Sequence, residues 1–176
     1  DFYGLICDEG ITVLNQTPSM FRQLMSVQEK AENRHHRLRA VIFGGEALDV
    51  ASLAPWYERP QNAGTQLANM YGITETTVHV TYRPLQAEDV KRSGNSPIGR
   101  HINDLRVYVL DDRQQPTPIG IPGEMYVGGA GVARGYLNQS ELTESRFLSD
   151  PFSLGPSARM YRTGDLACYR EDGSLE

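Results

Sequence analysis

The chain has 176 residues, 39% of them hydrophobic and 22% charged, with a formal net charge of −5. That length supports a hydrophobic core for one domain or two small lobes. The acidic balance argues against a nucleic-acid or anionic-membrane surface.

Asp1 starts the chain without Met, inside what reads as the first turn of a helix. Residues 1–8 put Phe2, Leu5 and Ile6 on one face and predict a helix end. The β-branched run 11–14 predicts a buried strand. Pro18 then opens a helix, with Thr17 as N-cap and Met20, Phe21, Leu24, Met25 and Val27 along one side. Residues 29–39 are polar, and the pair His35 and His36 reads as solvated decoration rather than a metal site. A strand follows over 39–43, then a turn at Gly44, Gly45 and Glu46. Residues 48–58 predict a helix interrupted near Pro55, and 66–70 a third strand. Strands alternating with helices favour a parallel sheet, with ligands at the carboxyl ends of the strands. The polar turns at 15–17, 44–46 and 71–75 each follow a strand and would share that rim.

From about Ser93 the pattern changes. Segments 106–110, 123–127 and 167–170 read as short alternating strands. They are separated by turns at Asp111–Asp112, 116–122 and Asp172–Gly173. A helix over 140–147 starts at Ser140. The fold class expected is α/β: a partial parallel-sheet α/β subdomain over residues 1–92, then a small antiparallel β lobe over 93–176. Glu176 ends the chain in what reads as a strand, and both ends predict a piece of a longer protein. Cys7 and Cys168 are the only cysteines, far apart and without ligand spacing, which predicts a reduced, cytoplasmic protein. No apolar run reaches the length of a membrane span, and no signal peptide is recognisable.

Chemistry concentrates in three stretches. NMYGITE (69–75) offers an aromatic face, a hydroxyl and a carboxylate around Gly72, the parts needed to stack a base, hold a phosphate and ligate Mg²⁺. Its bland alternative is a strand with a polar turn. Residues 128–135 are glycine-rich but lack both the Gly-Lys-Ser/Thr phosphate loop and the dinucleotide spacing, so close backbone packing explains them. In YRTGDL (161–166) a tight turn precedes Asp165, which could accept both ribose hydroxyls or form an Asx-type turn. No serine, cysteine or histidine has nucleophile spacing, and the only lysines are Lys30 and Lys91.

VLNQTPS (13–19), FGGEAL (43–48), NMYGITE, PIGR (97–100), GEMYVGGAGVARGYL (123–137) and YRTGDL occur in that order across nearly the whole chain. Together they resemble the amino-acid adenylation domains of nonribosomal peptide synthetases, in the adenylate-forming superfamily. The resemblance implies ATP-dependent activation of an amino acid as its aminoacyl-AMP. Loading onto a phosphopantetheine thiol would follow, with peptidyl carrier and condensation domains as partners. It implies that Tyr71 stacks on adenine, Asn69 meets the exocyclic amine, and Gly45, Glu46 and Ala47 line the other face of the base. Thr74 and Glu75 would be the catalytic pair, Thr74 on a phosphate and Glu75 on Mg²⁺, with Asp165 on the ribose. Ile73 departs from the proline usual in that motif. The family's amino-acid-selecting positions match Asn15, Ile42, Gly44, Met70, Val78 and His79, a set similar to threonine-activating members. Gly44 leaves room, Ile42, Met70 and Val78 pack a methyl, and Asn15 and His79 can bond a hydroxyl that valine lacks. An acyl- or aryl-CoA ligase of the same superfamily and a non-catalytic binding relative stay open as alternatives.

The family's upstream phosphate loop, the aspartate that pairs with the substrate amine and the carboxy-terminal lobe with its lysine have no counterpart in these residues. The isolated chain is therefore expected to give no amino-acid-dependent ATP–pyrophosphate exchange; turnover above background in that assay overturns the expectation.

Overall fold

The computed structural model describes residues 2–31, 34–91, 96–155 and 157–176. Two compact units emerge: Asp1–Met70 with Arg83–Pro97, and Tyr71–Tyr82 with Ile98–Glu176. The boundary expected at 92/93 lies outside the described residues.

In the first unit, β1 (Val13–Gln16), β2 (Ala40–Phe43) and β3 (Gln66–Asn69) form a parallel ladder, as expected. The Arg83–Leu85 end of β4 (Thr81–Leu85) adds antiparallel to β3. Leu14, Val41, Phe43 and Leu67 send one face of this sheet into the core. Against them packs α2 (Pro18–Lys30), whose Thr17 cap accepts a hydrogen bond from the Met20 amide. Pro18 is buried at its start, and Phe21, Leu24, Met25 and Gln28 are buried along it, spaced i, i+3, i+4, i+7. Phe21 meets Phe43 edge-on at 4.9 Å and Trp56 at 4.8 Å, geometries that suit the aromatic quadrupoles.

Several local expectations are corrected. Helix α1 (Phe2–Asp8) buries Tyr3, Gly4 and Ile6 and leaves Phe2 and Leu5 exposed, so its inward face is rotated from the one inferred. Met20 and Val27 are likewise exposed, and Gln28 takes the inward position. Strand β1 starts at Val13 and takes in Asn15 and Gln16, which a turn was expected to hold. The helix expected over 48–58 is a 3₁₀ turn, Val50–Leu53, followed by a single α turn, α3 (Ala54–Tyr57). Asp49 caps the 3₁₀ turn and Pro55 sits at the start of α3, where its missing N–H costs nothing.

His36 is not solvated decoration. Its ring stacks on Trp56 at 5.3 Å, 11° from parallel. Its Nδ1 accepts from the Leu38 amide, so the neutral ring carries its proton on Nε2 and donates to Asn62 Oδ1 at 2.9 Å. Buried Gln28 donates to the same oxygen, and Asn62 Nδ2 donates to the Trp56 carbonyl. These partners come from residues distant in sequence, so no local pattern announces them. Asn62→Ala strands several buried polar groups and should cost about 3 kcal/mol, read as a lower urea midpoint at unchanged slope.

In the second unit, β6 (Leu105–Leu110), β7 (Gly123–Gly129), β9 (Arg159–Ala167) and β8 (Phe147–Ser149) form an antiparallel sheet in the order β6-β7-β9-β8. Alternation sets its faces: Leu105, Val107, Val109, Met125 and Val127 enter one cluster, while Tyr108, Leu110 and Tyr126 enter another. The Thr81–Tyr82 end of β4 pairs with β5 (Arg100–His101). Helix α4 (Ser140–Arg146) starts at Ser140, as expected, after a Gln139 cap that makes no side-chain bond, and ends one residue short of the expected 147.

The strand expected over 167–170 is also corrected. Strand β9 runs through the YRTGDL motif and ends at Ala167. Glu124 pairs with Leu166 and Tyr126 with Arg162, so Thr163, Gly164 and Asp165 all stand opposite Met125. The inferred tight turn is a bulge within a strand, with Gly164 at φ +86°. Arg162 Nε closes the neck of the bulge on both carboxylate oxygens of Glu124, at 2.8 and 2.9 Å. Those bonds from Arg162 hold the Glu124 carboxyl below its ordinary value of 4.5. A depressed folded-state pKa stabilises above the unfolded value and is lost as pH falls through the folded one. The stability gap between wild type and Glu124→Gln should therefore be full above about pH 5 and close on acidification, as measured by urea midpoints across pH.

Candidate functional site

The sequence-predicted residues fall in both units, and each group is built differently. In the first unit the parallel register lines up Gln16 with Phe43 and Phe43 with Asn69, so the carboxyl ends of the strands are level. One residue earlier, Asn15 partners Ile42 and Ile42 partners Ala68. Side chains alternate along a strand, so Asn15 and Ile42 share the face opposite the core. Gly44 and Met70 lie two residues beyond Ile42 and Ala68, and the Met70 amide donates to the Phe43 carbonyl. Asn15 is exposed, while Ile42, Gly44 and Met70 are half-buried.

Gly45 turns the chain out of β2 at φ +81°. Glu46 then reaches back to α2, accepting from the Ser19 amide at 3.0 Å and the Ser19 hydroxyl at 2.8 Å. The Ser19 bonds hold its carboxyl below the usual range, as suits an anion at a helix N-terminus. Ala47 is exposed. Asn69 is buried, and its Nδ2 donates to the Pro97 carbonyl at 2.8 Å and to Ser96 Oγ at 3.2 Å. Ser96 Oγ also accepts from the Leu48 amide, tying the segment after β2 to the end of β3. Among the described residues nothing donates to Asn69 Oδ1, so that oxygen can accept from a ligand amine.

In the second unit, residues 71–81 fold back on themselves. The Val80 and Thr81 amides donate to the Tyr71 carbonyl, and Val78 to Ile73. The His79 amide reaches the Thr77 carbonyl around Val78 at φ +69°, a three-residue turn rare for a β-branched residue. Thr77 also has positive φ, +62°. Gly72 permits this: a Cβ there would lie 2.1 Å from the Val78 carbonyl oxygen.

The loop docks on the glycine-rich stretch. The Ala133 amide donates to the Glu75 carbonyl at 2.8 Å, and the Thr77 hydroxyl to the Gly131 carbonyl at 2.8 Å. A Cβ on Gly131 would meet Leu105 at 2.9 Å and the Thr76 carbonyl at 3.1 Å. The glycines therefore serve close backbone packing, as their composition implied.

Three chemical groups stand on this frame. The Tyr71 hydroxyl donates to Asp165 Oδ2 at 2.5 Å, and Asp165 projects from the bulge with its amide on Thr163 Oγ1. Burial first, then the Asp165 carboxylate, pushes the Tyr71 phenol well above its ordinary range, so it stays protonated and donating. Thr74 is exposed in a short 3₁₀ turn (Thr74–Thr76), and its hydroxyl bonds to no described residue. Glu75 Oε1 accepts from the hydroxyls of Tyr136 at 2.6 Å and Tyr161 at 3.1 Å. The Tyr136 bond is the main cause holding Glu75 below the usual carboxylate range, against the effect of burial.

Val78 is exposed, whereas His79 is half-buried with Nδ1 buried and unpartnered among the described residues. Sequence reasoning missed Ser19, Ser96, Tyr136, Tyr161 and Thr163. The tyrosines and Thr163 lay inside motifs already singled out, but their contacts span up to 86 residues of sequence. No cluster of three or more histidine, cysteine or carboxylate side chains occurs among the described residues. Any divalent ion would thus rest on one or two carboxylates plus substrate phosphates and water, the coordination Mg²⁺ favours. Glu75, a hard oxygen donor whose Oε2 takes no side-chain donor among the described residues, fits that demand.

Residues 1–137 match the AMP-binding enzyme family. The chain is 54% identical over 177 residues to a dimodular nonribosomal peptide synthase of Bacillus subtilis (strain 168), covering 99% of this chain and 7% of that protein. It is 52% identical over 175 residues to malpinin synthetase of Mortierella alpina, covering 99% of this chain and 2% of that protein. The chain thus spans a small part of the curated relatives it matches. Among solved structures it superposes on PA1221, an NRPS protein containing adenylation and PCP domains, with a TM-score of 0.85 and 31% identity, over 99% of this chain and 34% of that one. With the family matched over most of its length and its mixed parallel and antiparallel sheets shared with such a structure, this chain belongs to the AMP-binding enzyme family.

Proposed function

We propose that the chain is part of an adenylation domain of a nonribosomal peptide synthetase, activating an amino acid, threonine first, with ATP. The observation that carries this reading is the grouping in one compact unit of Tyr71 on Asp165, a free Thr74 hydroxyl and a restrained Glu75 carboxylate. Those are an aromatic platform, an acceptor for the sugar diol, a hydrogen-bond donor for a phosphate and a hard cation ligand. The similarity to nonribosomal peptide synthases supports the same assignment.

In this reading a carboxylate oxygen of the amino acid attacks the α-phosphorus of ATP. The new P–O bond forms as the bond to pyrophosphate breaks, giving aminoacyl-AMP and pyrophosphate. Tyr71 stacks on adenine and, through its hydroxyl, fixes the Asp165 carboxylate, which accepts from the ribose hydroxyls. Asn69 Oδ1 accepts from the exocyclic amine, and Gly45, Glu46 and Ala47 line the base. Thr74 donates to a phosphate oxygen. Glu75 would hold Mg²⁺, which supplies charge neutralisation on the phosphates when bound. The remaining rate enhancement is positioning and fixed dipoles.

For the amino acid, Gly44 leaves room beside Ile42 and Met70, and Asn15 supplies a polar end on the same strand face. Val78 adds apolar surface, and the unpartnered His79 Nδ1 offers a hydrogen bond to a side-chain hydroxyl. The thiol of a phosphopantetheine on a peptidyl carrier domain then attacks the acyl carbon, the acyl–phosphate C–O bond breaks and AMP leaves, giving a thioester for a condensation domain to use. Free Cys7 and Cys168 accord with a reducing cytoplasm.

Amino-acid-dependent ATP–pyrophosphate exchange on the intact parent protein tests this, run across the twenty amino acids. Threonine should dominate, and His79→Ala should narrow the threonine-over-valine preference about tenfold, the worth of one hydrogen bond in a desolvated pocket. Exchange led by another amino acid discards the pocket assignment and keeps the enzyme class. No exchange with any amino acid overturns the reading in favour of a CoA ligase or a non-catalytic relative.

A further inference from the structure

Two phenols have no part in the reaction as proposed, yet they close a ring on one carboxylate oxygen. Tyr136 and Tyr161 both donate to Glu75 Oε1, and their own oxygens are 2.9 Å apart. Both rings are fixed from behind. Phe147 packs edge-on against Tyr136 at 5.4 Å and Tyr161 at 4.9 Å. Tyr161 is buried in β9, paired with Val127 on one side and Phe147 on the other. The Tyr136 amide donates to Thr143 Oγ1 at 2.9 Å, which anchors the residue to α4. With the Glu75 carbonyl also held by Ala133, main chain and side chain are restrained together. Among the described residues no other side chain donates to Oε2.

A free glutamate on an exposed turn samples many rotamers, and freezing it costs entropy when a ligand binds. Uncharged hydroxyl donors remove that freedom without cancelling the negative charge, as an arginine would. Both sit on Oε1, and neither covers Oε2. We propose that Tyr136 and Tyr161 are positioning residues that hold Glu75 Oε1 so that Oε2 is presented to the divalent cation of the nucleotide substrate. The inference rests on the reading of Glu75 as that cation's ligand. Partners that orient a metal ligand in this way carry 10–100-fold in metal affinity, roughly, when removed.

The test is Mn²⁺ binding to the intact parent protein with α,β-methylene-ATP, followed by the electron paramagnetic resonance signal of free Mn²⁺, which needs no turnover. Tyr136→Phe and Tyr161→Phe keep the rings that Phe147 packs against, and thermal melts report whether each variant folds. Each should weaken Mn²⁺ binding about 10-fold or more and raise the Mg²⁺ needed for half-maximal exchange, with the amino-acid KM unchanged. If Glu75→Gln binds Mn²⁺ like wild type, the assignment of Glu75 as ligand fails and takes this inference with it. If Glu75→Gln loses binding while both phenylalanine variants retain it, the positioning role alone is overturned. A phenylalanine variant that melts early yet binds Mn²⁺ normally below its melting range overturns that role too, because its hydroxyl then serves only the fold. Should one variant not fold, the other decides.

Discussion

The docking of residues 71–81 onto the glycine-rich stretch is the constraint on which the second unit's chemistry depends. Two hydrogen bonds, from Ala133 to the Glu75 carbonyl and from Thr77 to the Gly131 carbonyl, hold it. The docking brings backbones together where a side chain would collide at Gly131, and the fold-back of the loop on itself does the same at Gly72. The loop also holds Thr77 and Val78 in left-handed conformations that β-branched residues avoid. Strain of that kind costs on the order of 1–3 kcal/mol per residue and persists only where the surroundings over-determine it. Here the return is a short segment that carries a ring, a hydroxyl, a carboxylate and an imidazole at set positions.

The first unit reaches its geometry by a different route. Its parallel strands end level because the hydrophobic faces of β1, β2 and β3 must meet α2 and Trp56 together, and a one-residue slip would turn Val41 and Phe43 outward. Level strand ends then place Asn15, Ile42, Gly44 and Met70 on the other face. The buried network of His36, Asn62 and Gln28 braces the side behind the sheet. The Glu46–Ser19 bonds and the Ser96 bridge brace the rim.

The carboxylates of the candidate site share an electrostatic design. Glu75, Asp165 and Glu46 are each held by neutral donors: two tyrosines, one tyrosine and one serine. Glu124, which braces the bulge, instead takes an arginine. Hydrogen bonds to the charged form stabilise it without neutralising it. A carboxylate held so stays available to a cation or to hydroxyl donors of a ligand, whereas one in an ion pair is already satisfied. The difference separates the groups given a chemical role from the one that holds the strand together.

Local chemistry determined much by itself. Thr17 and Pro18 start a helix because an unpaired amide needs an oxygen and the first turn needs no N–H. The runs 39–43 and 66–70 form strands, and the α/β order of the first half makes them parallel. Motif composition also singled out Tyr71, Thr74, Glu75 and Asp165, since few residue types can stack a base, bond a phosphate, hold a cation or accept a diol. Tertiary structure decided the rest. Which face of α1 turns inward depends on the partner it meets, not on its own spacing. The YRTGDL motif is a bulge rather than a turn because β7 supplies a single residue opposite three. His36 is packed and hydrogen-bonded rather than solvated because Trp56 and Asn62 come to it. Tyr136 and Tyr161 meet Glu75 across 61 and 86 residues of chain. Periodicity and capping act over a few residues, so a sequence displays them directly. Contacts between distant segments depend on how whole surfaces pack, and exist only once the chain has folded.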